Sequence, residues 1–597
     1  MKSFLKHVFS TVVGIMVFMS ITMFLAIIAI TGMLASESKL PEVKSNSVMT
    51  IKLCGFIQER GTDNSLPFMK FMNQDMETQG LDQLTEAIEK AKDNEHIKGI
   101  YIEAGPASFD SPATMIALRR SLNAFKKSNK WVIAYSDQFT QGAYYVASVA
   151  DELYLNTTGS IDFRGLGSRT AYYKGLFDKI GVDYQAMRVG KYKSYVESMT
   201  RTDMSAEDRE QRMTYLSGIW NMMLSDIAKS RHTTVEALNS FANDSILLFA
   251  NQQDYLKMRL VDKLLYPEEL KALVQKKMGV DQDDDITQIT ASDMAKTIVD
   301  QKERGDQVAV YYAVGGISDT DLSSLTGEQG IVGKTMARDL RELADDDDVK
   351  AVVIRVNSGG GSAVASEQIH HAVELLKQKK PVVVSMGGAA ASGGYMLSCG
   401  ASYIIAEPAT ITGSIGIFGM IPNVSRLLTD KLGVTYDEVG TNRFTNSMER
   451  LVTAKDNAQE RMLMQTYINQ GYDRFITMVS KGRKLSKERV HEIAQGRVWL
   501  GQDAVKLKLV DQLGTLDDAV KKAASLAQTD DYRRKDYPAA EDWMERLLKE
   551  TIQTDDNYLN SQFRELLGSH YQEWVMIRTA EKRNRLQATL PYSIVVE

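Results

Sequence analysis

The chain has 597 residues, 44% of them hydrophobic and 25% charged, with a formal net charge of −6 at pH 7. That length holds more than one hydrophobic core, and that charge offers no basis for nucleic-acid binding. Two cysteines, Cys54 and Cys399, are too few for a disulfide framework or a zinc site, and their apolar contexts mark both as buried spectators.

No charged residue occurs from Val8 to Ala35. About 20 apolar residues cross a bilayer, so residues 8–35 are expected to form one transmembrane helix. Lys2 and Lys6 precede the run and Glu37 follows it. This charge bias leaves the N-terminus in the cytoplasm and the body on the periplasmic, extracytoplasmic side of the cytoplasmic (inner) membrane. A cleaved signal peptide has a shorter apolar core, and Met33-Leu34-Ala35 is a poor cleavage site, so the run is expected to stay as a single-pass anchor.

Beyond the anchor, SVMTIKL from Ser47 has the pattern of a strand, LDQLTEAIEKAKD from Leu81 that of an amphipathic helix, and GIYIEA from Gly99 that of a second strand. The acidic stretch Asp281 to Asp285 lacks the glycine and spaced carboxylates of a calcium loop and is expected to be a solvated linker. Strand, helix and strand then recur in QVAVYYAV from Gln307, TMARDLRELADD from Thr335 and AVVIRV from Ala351. From about Asp530 the chain turns charged, with the pattern of a helical extension packed on a neighbouring surface or subunit. The alternation specifies an α/β fold with mostly parallel sheet.

The recurrence extends to particular residues. HIKGIYIEAG from His96 matches DVKAVVIRVN from Asp348. TQGAYYVAS from Thr140 matches ASGGYMLS from Ala391, and TGSI occurs at both Thr158 and Thr412. QQDYLKMRLVDKL from Gln252 matches GQDAVKLKLVDQL from Gly501. The order is kept at an offset of about 250 residues, which identifies an internal duplication covering roughly 47–270 and 306–525.

The two copies differ where chemistry is possible. The apolar run at Val382, Val383 and Val384, after Pro381, has the pattern of a strand; it leads into the small-residue stretch AAASGG from Ala389, a tight turn that carries Ser392, Gly393 and Gly394 and opens a helix. A serine there is expected to stand exposed beside the free amides of a helix N-terminus, as a nucleophile does. Copy one has Gln141 in its place, and glutamine is no acyl-transfer nucleophile. DKIGVDYQAMRVG from Asp178 also matches DKLGVTYDEVG from Asp430, and from the closing Val-Gly copy one reads VGKYKS, with Lys193, and copy two reads VGTNRF, with Arg443. Arginine does not shed its proton, whereas a desolvated lysine does. Copy two thus keeps a serine without a base and copy one a lysine without a serine, and the two are expected to form one composite Ser–Lys site. Lys193 must then lie far below its ordinary value, at a cost of roughly 4 kcal/mol that burial supplies. Tyr192, Tyr195 and Val196 suit such burial, and Ser414 in TGSIG is placed to hold the lysine.

The glycine-rich loop of RVNSGGGSAVASE, from Arg355, offers N–H groups of Gly360 or Gly361 for an oxyanion, with Gly393 supplying another. It lacks the lysine of a phosphate-binding loop. His370 and His371 follow on the next helix, with no carboxylate placed to orient either as an alternative base. No cofactor and no metal are expected.

RVNSGGGSAVASE, SMGGAAASGGYMLS, TGSIGIFG and VGKYKSYVE resemble motifs of the signal peptide peptidase (protease IV) family, in its long duplicated form. The resemblance covers almost the whole chain after the anchor. It implies tandem crotonase/caseinolytic-protease-like domains, with Ser392 as nucleophile and Lys193 as general base. It further implies a homo-oligomeric dome, taken as a tetramer, and peptide substrates such as signal peptides left in the membrane. Gly359 departs from the family loop, which carries proline there. The expected organisation is an anchor over 1–45, a lysine-bearing α/β domain over 46–300, a serine-bearing one over 301–528, and a helical extension over 529–597.

Overall fold

The computed structural model describes residues 41–61, 78–244, 250–297, 305–321, 330–539 and 587–589, with 9–24 apart from Ser10, Val12 and Met23. Most of the expected anchor, with the whole of 25–35, lies outside the described residues. Among the described residues no helix is long and apolar enough to cross a membrane.

Each half folds around its own sheet. In the first, strands run in the order Thr78–Gly80, Ser47–Gln58, Ile97–Phe109, Trp131–Phe139, Glu152–Ile161 and Lys263–Leu264, and Gln288–Thr290 also joins Ser47–Gln58. Every pairing in it is parallel. In the second, the order is Val498–Leu500, Ile411–Gly413, Val382–Ala391, Val349–Ser358, Asp306–Val314 and Tyr532–Tyr537. Parallel strands covered on both faces have continuous apolar runs, and Val352, Val353, Ile354, Val382, Val383 and Val384 are all buried. Helices cover the sheets with one apolar stripe each: Leu81, Leu84, Ile88 and Ala91 in Leu81–Asp93, and Met336, Ala337, Leu340, Leu343 and Ala344 in Gly333–Asp345.

The duplication is visible in the backbone. Helices Ala206–Arg231 and Ala458–Arg483 are both 26 residues long, and each stops at a left-handed residue, His232 and Lys484 respectively. Buried charge joins the halves: Arg355 donates from Nε to Glu59 Oε1 at 2.7 Å and from Nη2 to Oε2 at 3.1 Å, and Arg120 pairs with buried Glu407.

A third sheet belongs to neither half alone. Its order is Ile331–Val332, Ile317–Ser318, Gly360–Ser362, Gln587–Thr589, Phe418–Asn423 and Asp183–Arg188. Strand Asp183–Arg188 of the first half pairs antiparallel with Phe418–Asn423 of the second, from Asp183 opposite Asn423 to Arg188 opposite Phe418.

Two expectations need correction. The described residues of the C-terminal extension are not helical. Tyr532–Tyr537 runs parallel to Asp306–Val314 as an edge strand, because that strand's open edge offers backbone partners, and Arg534 Nη2 donates to Tyr312 Oη at 2.7 Å. Residues 540–586 and 590–597 lie outside the described residues. Cys399 is buried, but Cys54 is only half-buried.

Candidate active site

Strand Val382–Ala391 passes into helix Gly393–Ser398 through Ser392 alone. Ser392 has φ 56° and ψ −114°, a conformation that costs a non-glycine residue about 1–3 kcal/mol. Two backbone bonds hold it there: Ser392 N donates to Gly413 O at 2.8 Å, and Met396 N donates to Ser392 O at 2.8 Å. The following glycines are required by close approach. A Cβ on Gly393 would stand 2.4 Å from Ser366 Oγ, and one on Gly394 would stand 2.6 Å from Ser358 O. Ser392 is fully buried, not exposed as the turn alone suggests, because the Lys193 segment and strand Gln587–Thr589 pack against this turn.

Lys193 reaches Ser392 from the other half. After strand Asp183–Arg188, Val189 N donates to Ile417 O at 3.2 Å and Tyr192 N to Gln495 O at 3.0 Å, so the first half's chain is laced into the second. The fully buried Lys193 Nζ then meets three oxygens: Ser392 Oγ at 2.8 Å, Ser414 Oγ at 3.0 Å and Ser414 O at 3.1 Å. A neutral amine has two N–H donors and one lone pair. Donating to both Ser414 oxygens leaves the lone pair for the Ser392 hydroxyl, which is the arrangement proton abstraction needs. Burial lowers the Lys193 pKa to about 7.

Sequence reasoning missed the residues that aim this lysine. Arg188 Nη1 donates to the Lys193 carbonyl at 3.0 Å and to Glu197 Oε1 at 3.2 Å. Ser194 Oγ donates to Asp208 Oδ1 at 2.6 Å, and Gln211 Nε2 donates to Tyr192 O at 3.1 Å. Gly496, at φ +77°, lets the lysine backbone pass: a Cβ there would stand 2.7 Å from Lys193 Cβ. Only a glycine between two turn signals could have hinted at this. Ser414 was foreseen as a hydrogen-bond partner, but not its left-handed φ of 47°, which turns both its oxygens to the amine.

Gly360 and Gly393 converge beside the serine, while Gly361, the next residue, lies against the backbone of Ile317. Gly360 has φ +97°, and a Cβ on it would stand 2.6 Å from Gly393 N. Gly360 N donates to Ser358 Oγ at 3.1 Å, so this amide is already engaged. The same Cβ would stand 2.1 Å from the carbonyl oxygen of Ala588, so a peptide carbonyl stands beside these glycines. His370 lies elsewhere, with Nδ1 3.9 Å from Cys399 Sγ at the far end of the helix, where burial raises the thiol to about 12.

The corresponding place in the first half is plugged. Gln141 is buried, and its Oε1 accepts from Arg164 N at 3.0 Å and Gly165 N at 2.9 Å. Arg443, the counterpart of Lys193, is exposed.

A duplicated α/β scaffold of this kind, with a serine strained at a strand-to-helix turn and an amine buried against it, defines a serine peptidase. The chain belongs to peptidase family S49, whose model matches residues 124–281 and 374–530; the Clp protease model matches 328–410. Protease 4 of Haemophilus influenzae is 35% identical over 482 residues, covering 79% of this chain and 75% of that protein. Protease 4 of Salmonella typhi is 36% identical over 468 residues, covering 76% and 73%. The chloroplastic serine protease SPPA of Arabidopsis thaliana is 28% identical over 487 residues, covering 80% and 69%.

Proposed function

We propose that this S49 peptidase is a membrane-anchored endopeptidase with a Ser–Lys dyad, hydrolysing apolar peptides such as cleaved signal peptides at the outer face of the cytoplasmic membrane. The observation that carries the reading is the 2.8 Å bond between the buried Lys193 Nζ and Ser392 Oγ. Ser392 attacks the peptide carbonyl, and Lys193 takes its proton and returns it to the leaving amine. Backbone N–H groups of Gly393 and Gly361 receive the oxyanion, and water then releases the acyl group. Ser414 holds Lys193 in line.

Anchoring rests on the uncharged run over 8–35. Its described residues from Val13 to Thr22 are helical, and Ile15, Met16, Phe18 and Met19 are exposed, apolar side chains that a lipid phase would cover. Association into a homo-oligomer, a tetramer in this reading, is supported by exposed Leu432, Val439, Phe444, Met462 and Leu463 in the second half. The test uses the detergent-solubilised full chain and an apolar fluorogenic peptide. Folded Ser392→Ala and Lys193→Ala variants that both lack activity support the dyad. A Lys193→Ala variant that keeps most of the activity puts the base elsewhere.

A further inference from the structure

Arg497 lies in the turn between helix Lys487–Ile493 and strand Val498–Leu500. Its backbone carbonyl accepts from Ser414 N at 2.7 Å, and Ser414 supplies two of the three oxygens around Lys193 Nζ. Its side chain crosses to the first half. Nη1 donates to Tyr192 Oη at 3.1 Å, and Nη2 stands 3.0 Å from Glu210 Oε1. Tyr192 Oη in turn donates to Glu210 Oε2 at 3.1 Å, which closes a ring of three side chains. The guanidinium carbon lies 4.8 Å from the centre of the Tyr192 ring and 4.5 Å from that of Trp499. Trp499 is itself fixed, because its indole N–H donates to Ile493 O at 3.0 Å. A flat guanidinium shared by two aromatic rings is a contact that the compact ammonium of lysine does not reproduce.

We propose that Arg497 is a positioning residue for the Ser392–Lys193 pair: its side chain clamps Tyr192, the residue before the general base, while its carbonyl holds Ser414. This rests on the dyad reading above. Tyr192 and Glu210 belong to the first half, Arg497 and Trp499 to the second, so the clamp closes the seam across which the site is assembled. Arg497 touches none of the reacting atoms and acts through the surroundings of the lysine. Lys193 is wholly enclosed, and burial alone lowers its amine to about 7. The charged side chains around its loop meet other atoms: Arg188 meets the Lys193 carbonyl and Glu197, Asp208 meets Ser194, and Glu210 and Arg497 meet Tyr192. With the clamp released, Tyr192 no longer fixes the backbone next to the lysine, water reaches the amine, and the charged form is favoured again.

The experiment follows kcat/KM on an apolar reporter peptide across pH for the detergent-solubilised full chain and its Arg497→Ala, Arg497→Lys, Glu210→Ala and Lys193→Ala variants. Arg497→Ala should move the rise in activity upward by about one pH unit, which by itself lowers kcat/KM about fivefold at pH 7 and hardly at all at pH 9.5. Arg497→Lys should move it in the same direction, because it keeps the charge and loses the flat, forked group. Glu210 is exposed, so Glu210→Ala leaves the fold in place. It should shift the profile the same way, and it decides the question if Arg497→Ala does not fold. Folded variants that keep the wild-type midpoint, even with a rate lowered equally at every pH, overturn the positioning role and leave the dyad standing. An Arg497→Lys chain with the wild-type profile overturns the clamp in favour of charge alone. A Lys193→Ala chain that keeps most of the activity overturns the dyad and this inference with it.

Discussion

Lys193 and Ser392 stand 199 positions apart in the chain, one from each duplicated half, and share a hydrogen bond of 2.8 Å. If they act as one unit, Ser392→Ala and Lys193→Ala should each lower kcat/KM on an apolar peptide by about 10⁴-fold or more, and the double variant should be no worse than either. Steady-state kinetics of the three variants checks this. Additive losses would mean that the two side chains work separately.

The pH dependence of activity follows from the lysine. Burial lowers its pKa to about 7, and proton abstraction needs the neutral amine. The kcat/KM should therefore rise as pH increases through about 7 and then level off. A profile whose rise lies near the ordinary lysine range would contradict the buried base.

Stability should respond in the same direction. Lys193 has a folded pKa of about 7 against an ordinary lysine value of 10.5, so between those values the unfolded chain binds more protons. The lysine's cost to folding is fully present below pH 7, shrinks as pH rises and is gone above about 10.5. Lys193→Met should raise the Tm at pH 7, and raise it less at pH 9.5, as followed by differential scanning calorimetry. An equal gain at both values would assign it to packing instead.

Gly496 should not tolerate a side chain. A Cβ there meets Lys193 Cβ at 2.7 Å, and its φ of +77° is left-handed. Gly496→Ala should cost about 1–2 kcal/mol in backbone strain and displace the lysine, lowering kcat by at least tenfold with little change in KM. Kinetics beside urea unfolding separates the two effects.

The plugged site in the first half should be structural only. Gln141→Ala removes the acceptor of Arg164 N and Gly165 N, and leaving buried amides unpaired costs about 1–3 kcal/mol. Peptide hydrolysis at a permissive temperature should stay within twofold of wild type. Large loss of activity in a folded variant would show that the first-half turn takes part in catalysis.

Glu59→Gln should be more damaging to the fold. It leaves Arg355, with 3% of its surface exposed, without its counter-charge, and breaking a buried pair costs about 3–5 kcal/mol. Because this pair joins the two halves, urea unfolding should shift to lower midpoint and lose cooperativity between them.

Much of this protein is legible in its sequence. The alternation of apolar strands and amphipathic helices determines the α/β class, since both periodicities are local. The duplication is legible because matching segments recur in order. It also isolates Ser392 and Lys193, because each copy shows what the other lacks at one turn and one loop. Tertiary structure alone decided how these residues meet. The lacing of 183–192 into 417–423 and 495 is a pairing between distant backbones, and pairing register leaves no trace in composition. Burial of Ser392 depends on what packs over the turn, so the local pattern suggested exposure. The strands Tyr532–Tyr537 and Gln587–Thr589 form because open sheet edges elsewhere accept them, while the charged residues around them have helical propensity on their own. Local chemistry determined which side chains were available; long-range backbone pairing decided which of them share a site.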